Sequence, residues 1–173
     1  FEPDYLWDPD ESACHQALIL DPQSKIMDSA NDAISEADLV YLACPPAVRE
    51  PYALAAAAAG NALFLEKPFG INLDDSAKLM ARLQAHNVPV AVNFTQASGA
   101  ALTDLLAAKE CGDMGDLLGV DIIVTYPAWP RQWQKGAEWL GFRAEGGITS
   151  EVNSHFLFLT IPVLGPCLLS SAQ

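Results

Sequence analysis

Residues 39–44, Leu-Val-Tyr-Leu-Ala-Cys, make an almost uninterrupted apolar run that stops at Pro45-Pro46. A run this short and this apolar reads as a strand covered on both faces. The segments after it narrow the choice. Pro51-Tyr52-Ala53-Leu54, five alanines and Gly60 predict a helix, with proline in its first turn, strong helix formers inside and glycine just past its end. A second apolar run, residues 62–65, ends at Glu66-Lys67-Pro68. The spacing then predicts a helix over residues 73–86, burying Ala77, Met80 and Leu83 while Lys78 and Arg82 face out, and a further strand over residues 88–93. Upstream, Tyr5-Leu6-Trp7 is a short strand-like run halted by Asp8-Pro9-Asp10. Residues 11–19 are weakly helical in character and residues 29–36 more clearly so. Strands alternating with helices at such short spacing predict a parallel sheet with crossover helices, the β-α-β arrangement of a doubly wound α/β domain.

The pattern changes after Asn93. A helix over residues 99–110 carries Leu102, Leu105 and Leu106 on one stripe and stops at Gly112. Residues 117–126 are rich in β-branched side chains, and residues 127–143 are aromatic and basic, holding Trp129, Trp133 and Trp139. A last helix over residues 149–160 places Val152, Phe156 and Leu159 on one face before Pro162 and Gly165 end it. We therefore divide the chain into two domains, residues 1–95 and 96–173. The opening Phe1-Glu2-Pro3 carries no initiator Met and runs almost directly into a strand, so the sequence is expected to begin inside a longer protein.

Charge and cysteine content exclude several classes. A net charge of −13 would repel phosphate backbones and anionic lipid, so neither nucleic acid nor a membrane surface is expected as a partner. Cys14, Cys44, Cys111 and Cys167 are scattered without a C-x-x-C pair, and Cys44 closes an apolar run as buried free thiols do, which points to a reducing cytoplasm. No uncharged apolar stretch approaches the roughly 18 residues needed to span a bilayer. No metal-ligand spacing, G-x-S-x-G or Walker-type loop occurs, so no metal is expected.

The residues able to carry chemistry lie at predicted strand ends and on the last helix. Asp8 ends the first strand, where a doubly wound dinucleotide site places an acidic side chain for the adenosine ribose hydroxyls and against a 2′-phosphate. Taken alone, Asp8 reads more readily as a turn residue of Asp-Pro-Asp. Pro45-Pro46 and Glu66-Lys67-Pro68 both follow parallel strands at the carboxyl edge, where open α/β sheets bind ligands. Singly, these are a strand terminator and a solvated turn lysine. Glu151 and His155 are four residues apart on a helix, hence on one side of it and away from the Val152, Phe156 and Leu159 stripe. A carboxylate beside an imidazole raises its proton affinity and orients it as a general base, although an arbitrary Glu/His pair is more often a surface ion pair. Gly146-Gly147 just before it would let a ligand or backbone approach closely. Trp129, Trp133 and Arg131 could together line a pocket.

Taken in order, Asp8-Pro9-Asp10, residues 39–46, Ala59-Gly60 with Glu66-Lys67-Pro68-Phe69-Gly70, and Gly146-Gly147 with Glu151 and His155 resemble the glucose-fructose oxidoreductase / inositol dehydrogenase / MocA family. The resemblance implies a Rossmann domain, here without its first strand and glycine-rich loop, followed by the start of an α+β domain with an open, mainly antiparallel sheet through which a homo-oligomer would assemble. It implies a small-molecule substrate bound between the domains, NAD favoured over NADP, and hydride transfer between nicotinamide and a sugar, polyol or related hydroxy/carbonyl compound. Carried over by position, Asp8 would bind the adenosine ribose, Pro45 and Pro46 would line the cofactor cleft, and Glu66 would sit beside the nicotinamide ribose. Lys67, at the cofactor edge, would orient the substrate hydroxyl, and His155 would be the acid/base, with Glu151 in place of the family's usual aspartate. Arg49 departs from a frequent histidine and Phe158 from a frequent second aspartate. Replacement of the two acidic family positions, by Glu151 and by Phe158, leaves a second reading open, a non-catalytic dinucleotide- or sugar-binding regulatory or scaffold protein of the same fold.

Overall fold

An alanine-rich helix flanked by two paired strands frames the first half of the chain. In order, the elements are β1 (Tyr5–Leu6), α1 (Glu11–Leu20), β2 (Lys25–Ile26), α2 (Ala30–Glu36), β3 (Leu39–Leu42), α3 (Pro46–Ala59), β4 (Ala62–Glu66), α4 (Leu73–Ala85), β5 (Val90–Asn93), α5 (Ala100–Glu110) and α6 (Ser154–Leu164). They belong to a computed structural model that describes residues 3–134, 136–145, 147–168 and 170, with Trp133 described in its backbone alone. The chain divides into two compact units, Phe1–Val92 and Asn93–Gln173.

In the first unit β1 pairs with β2 and β3 with β4, both in parallel, and β5 lies beside β4. Parallel neighbours need a crossover, which α1 with its flanking loops supplies for the first pair and α3 for the second. The expected parallel α/β fold is therefore present, with its sheet in two parts, a pair and a triple. Strand β2, two residues long, leaves too little periodicity to be read from sequence.

The core lies under one face of the triple. Leu63 and Leu65 alternate inward from β4 and pack with Ile34 of α2, Ala53, Ala56 and Ala57 of α3, and Leu79 and Leu83 of α4. The alanines let α3 approach the sheet, and each buried leucine contributes roughly 1.5–3 kcal/mol of transfer free energy. Asn61 ties the layers together, its buried amide donating to the carbonyls of Ile34 and Ala37 where α2 ends.

Several expectations need correction. Strand β3 is covered on one side only: Val40 and Leu42 pack on the core, while Leu39 and Tyr41 are exposed on the other face among the described residues. Apolar content does not by itself report two-sided burial. Helix α3 starts at Pro46, five residues before the expected Pro51, because proline's fixed φ suits the first helical position; Pro51 lies inside the helix on its exposed side. On α4 the buried stripe is Leu79 and Leu83, whereas Ala77 and Met80 are exposed, so the inward face is rotated by about one residue from the expected one.

In the second unit α5 buries Leu102, half-buries Leu105 and leaves Leu106 exposed. Residues 117–126, rich in β-branched side chains, form neither helix nor strand. β-Branched side chains favour a strand only where a partner edge exists, and among the described residues no strand lies beyond Asn93. The described part of this unit is helices, 3-10 turns and irregular chain, without the antiparallel sheet that the resemblance implied. The last helix begins as a π-turn, Thr149–Asn153, continues as α6 and ends at Gly165, with Pro162 inside its final turn rather than ending it.

Candidate active site

Three strand exits of the first unit carry the residues that the sequence singles out. At the end of β1 the Asp8 side chain is exposed and its Oδ1 accepts a hydrogen bond from the Asp10 backbone N–H at 2.8 Å. It is therefore a turn residue in fact, and the turn sets its carboxylate at the strand end. Asp10 caps α1 by accepting from the Ser12 N–H at 3.0 Å and hydroxyl at 2.7 Å, bonds that hold its carboxyl below the usual aspartate range. The neighbouring Trp7 ring packs on Tyr52 of α3, centroids 5.5 Å apart, which joins the β1 exit to the N-terminal half of α3.

At the β3 exit Pro45 stands at the N-cap of α3 and Pro46 is its first residue, so this helix N-terminus directly succeeds the strand. At the β4 exit Glu66 is the last strand residue. Its carboxylate accepts from the Tyr41 hydroxyl and, at 3.3 Å, from the backbone N–H of Lys67. Lys67 is half-buried and is joined to Pro68 by a cis peptide bond.

Sequence reasoning gave no role to the residue that joins two of these exits. Arg49 of α3 is 1% exposed, and its guanidinium donates to the Cys44 carbonyl at 2.7 Å and to the Pro68 carbonyl at 2.6 Å. Burial pushes its pKa down, opposed by the Cys44, Glu66 and Tyr41 groups nearby. The available signal was an arginine one turn into a helix that comes after an apolar strand, which burial alone could distinguish from a solvated one.

In the second unit Glu151 lies in the π-turn and is 4% exposed. Its Oε1 is 3.4 Å from the donating Gln134 Nε2 and 3.7 Å from an Arg131 guanidinium nitrogen. Gln134 Oε1 in turn accepts from Arg131 Nε at 2.9 Å, and the guanidinium lies over the rings of Tyr126 and Trp129, at 4.9 and 5.7 Å. Glu151 is thus a buried, partnered carboxylate rather than a side chain on an exposed helix face, because it belongs to a turn wound wider than an α-helix. His155 sits in the first turn of α6, edge-on to Phe94, which stacks on Phe158 at 3.7 Å. Phe158 thereby has a packing role where an acidic residue had been the expected family feature. Gly146 and the Trp133 side chain, both invoked from sequence, lie outside the described residues.

Among the described residues no group of three or more His, Cys, Asp or Glu could hold a metal ion, and no helix is long and apolar enough to cross a membrane. The side chains singled out in the first unit lie where parallel strands end, an exposed carboxylate after β1, a proline pair at a helix N-terminus after β3, and Glu66 with Lys67 at the end of β4. That is how a dinucleotide-binding α/β domain is organised. Residues 3–94 match the model of the oxidoreductase family with an NAD-binding Rossmann fold, the Gfo/Idh/MocA family, and the chain belongs to it.

Solved structures agree on the fold. The WlbA dehydrogenase from Bordetella pertussis, in complex with NADH and UDP-GlcNAcA, is 24% identical with a TM-score of 0.76, over 94% of this chain and 47% of that one. An oxidoreductase from Thermotoga maritima is 17% identical with a TM-score of 0.74, over 92% and 50%. The scyllo-inositol dehydrogenase from Lactobacillus casei is 16% identical with a TM-score of 0.58, over 65% and 34%. This chain thus spans half or less of the length of each. No protein of curated function matches it by sequence.

The residues present fit the ribose ends of NAD. Asp8 offers an exposed carboxylate to ribose hydroxyls, and Pro45, Pro46 and Glu66 border the adjoining exits. The sequence has no G-x-G-x-x-G loop for the pyrophosphate.

Proposed function

We propose that this chain serves an NAD-dependent dehydrogenase or reductase acting on a CH–OH group of a sugar, polyol or related hydroxy/carbonyl compound, with Lys67 and His155 handling the proton. The family match over residues 3–94 carries the reading. Two of the similar structures support the substrate class, since one holds UDP-GlcNAcA with NADH and another is an inositol dehydrogenase. Asp8 binds the adenosine ribose and favours NAD over NADP, Pro45 and Pro46 line the cofactor cleft, and Glu66 and Lys67 face the nicotinamide end.

A nicotinamide held at the Glu66-Lys67 edge would supply the hydride acceptor for alcohol oxidation. The O–H proton goes to the His155 imidazole, while the Lys67 ammonium stabilises the negative charge developing on oxygen. Glu151, held by Arg131 and Gln134, supplies a fixed negative charge one turn before His155. Assembly through a C-terminal sheet rests on the family resemblance alone, and no described residue beyond Asn93 forms a strand to support it.

The test uses the intact protein. NAD and NADP binding are measured by calorimetry, and turnover of sugars and polyols by NADH formation. Lys67→Ala and His155→Ala should each lower kcat by about 10²–10⁴-fold, the usual worth of positioned acid–base groups. Binding of neither nucleotide overturns the reading. NAD binding with no turnover of any hydroxy compound would favour the regulatory alternative.

A further inference from the structure

Arg49 is the most buried charged side chain among the described residues, at 1% exposed. A guanidinium brought out of water is stabilised by closely fitting acceptors, and the hydrogen bonds resolved on Arg49 go to neutral backbone carbonyls rather than to a carboxylate. One terminal nitrogen donates to the Cys44 carbonyl at 2.7 Å, after β3. The other donates to the Pro68 carbonyl at 2.6 Å and to that of Phe69 at 3.4 Å, both after β4. Its Nε is buried with no hydrogen-bond partner, so the group is held at some cost in stability. An apolar side chain of similar volume would fill the space at less cost, but only a planar fork can bond two strand exits at once.

We propose that Arg49 is a positioning residue of the cofactor-facing edge, locking the Glu66-Lys67-Pro68 exit of β4 to the Cys44-Pro45 exit of β3 so that the Lys67 amine is presented at one fixed depth. The proposal rests on the dehydrogenase reading and acts through Lys67 rather than through contact with substrate. The surroundings of the guanidinium agree, since the Glu66 and Tyr41 groups that oppose the lowering of its pKa belong to the same edge.

Arg49→Lys keeps a cation on a single nitrogen and cannot span both exits, and Arg49→Gln keeps donors without charge. Both are made in the intact protein, with amide hydrogen exchange read over residues 44–50 and 66–70 alongside kcat, KM and thermal unfolding. The expected result is faster exchange in both exits together and a fall in kcat of about 100-fold, as for a misplacement of about 1 Å, with substrate KM little changed. A folded Arg49→Lys protein with unchanged exchange and kcat overturns the proposal. So does lowered thermal stability with kcat intact, the behaviour of a residue that only fills space. If the lysine variant does not fold, Arg49→Gln is read by the same criteria. Exchange needs no turnover, so a wild-type protein that binds no NAD would defeat the dehydrogenase reading while the link between the two exits is still measured.

Discussion

The Tyr41 hydroxyl donates to the Glu66 carboxylate across the β3–β4 pair. Tyr41 lies opposite Phe64 in the register, so Glu66, two residues further along β4, is its diagonal neighbour on the same face of the sheet. Tyr41→Phe removes the donor and keeps the ring contact with Phe64, whose centroid is 5.3 Å away. With Glu66 at the nicotinamide ribose, the variant should weaken NAD binding about fivefold, from roughly 1 kcal/mol for one hydrogen bond at a half-exposed site. Calorimetry checks it, and an unchanged Kd would mean that the phenol does not orient Glu66 for cofactor binding.

Asp8 gives a second handle on the cofactor. Because its carboxylate is exposed and anchored through Asp10 N–H, Asp8→Ala should leave α1 in place, capped as before by Asp10. Loss of a charged acceptor for ribose hydroxyls should weaken NAD binding about tenfold, and the gap between NAD and NADP should narrow as repulsion of the 2′-phosphate disappears. Titrating both nucleotides against both proteins decides it. Equal weakening for NAD and NADP would show that Asp8 does not read the ribose.

Where the sequence was legible, periodicity and stop signals were strong. Gly60, with φ +89°, ends α3 where expected, and β4 closes at Glu66 beside the predicted Lys67-Pro68. The stripe on α4 was misjudged because Met80 and Leu79 are both apolar neighbours and only packing decides which turns inward. Arg49 and the Arg131–Glu151 pair were illegible as partnered groups for a shared reason, since each joins segments about 20 residues apart in the chain that local pattern cannot relate. The second unit was the least readable, because β-branched content such as that of residues 117–126 becomes a strand only beside a partner edge.

The Asp10 cap predicts a dependence of stability on pH. Its pKa is lowered in the folded chain, so its contribution is fully present above the unfolded aspartate value and is lost as pH falls through the lower folded one. Asp10→Asn keeps a capping oxygen and removes the titration. The stability difference between wild type and variant should therefore be constant near neutrality and change only in the acid limb. Urea unfolding at a series of pH values measures it, and a difference that varied around neutral pH would point to another group.

Arg131 and Glu151 supply a test in the second unit. Glu151 is 4% exposed, with the guanidinium 3.7 Å from its carboxylate, so Arg131→Met leaves a buried negative charge without this cation and removes the cation–π contacts with Tyr126 and Trp129. The loss should be about 2 kcal/mol, below the full cost of breaking a buried pair because the arginine is partly exposed. Glu151→Gln should cost less, since the remaining guanidinium still reaches water and still bonds Gln134. The double variant should recover part of the Arg131→Met loss, because it removes the buried carboxylate along with the cation that faced it. Urea unfolding followed by tryptophan fluorescence gives the three values. Strictly additive losses would mean that the two side chains stabilise this unit independently, and that the negative charge one turn before His155 is held in place by its other contacts.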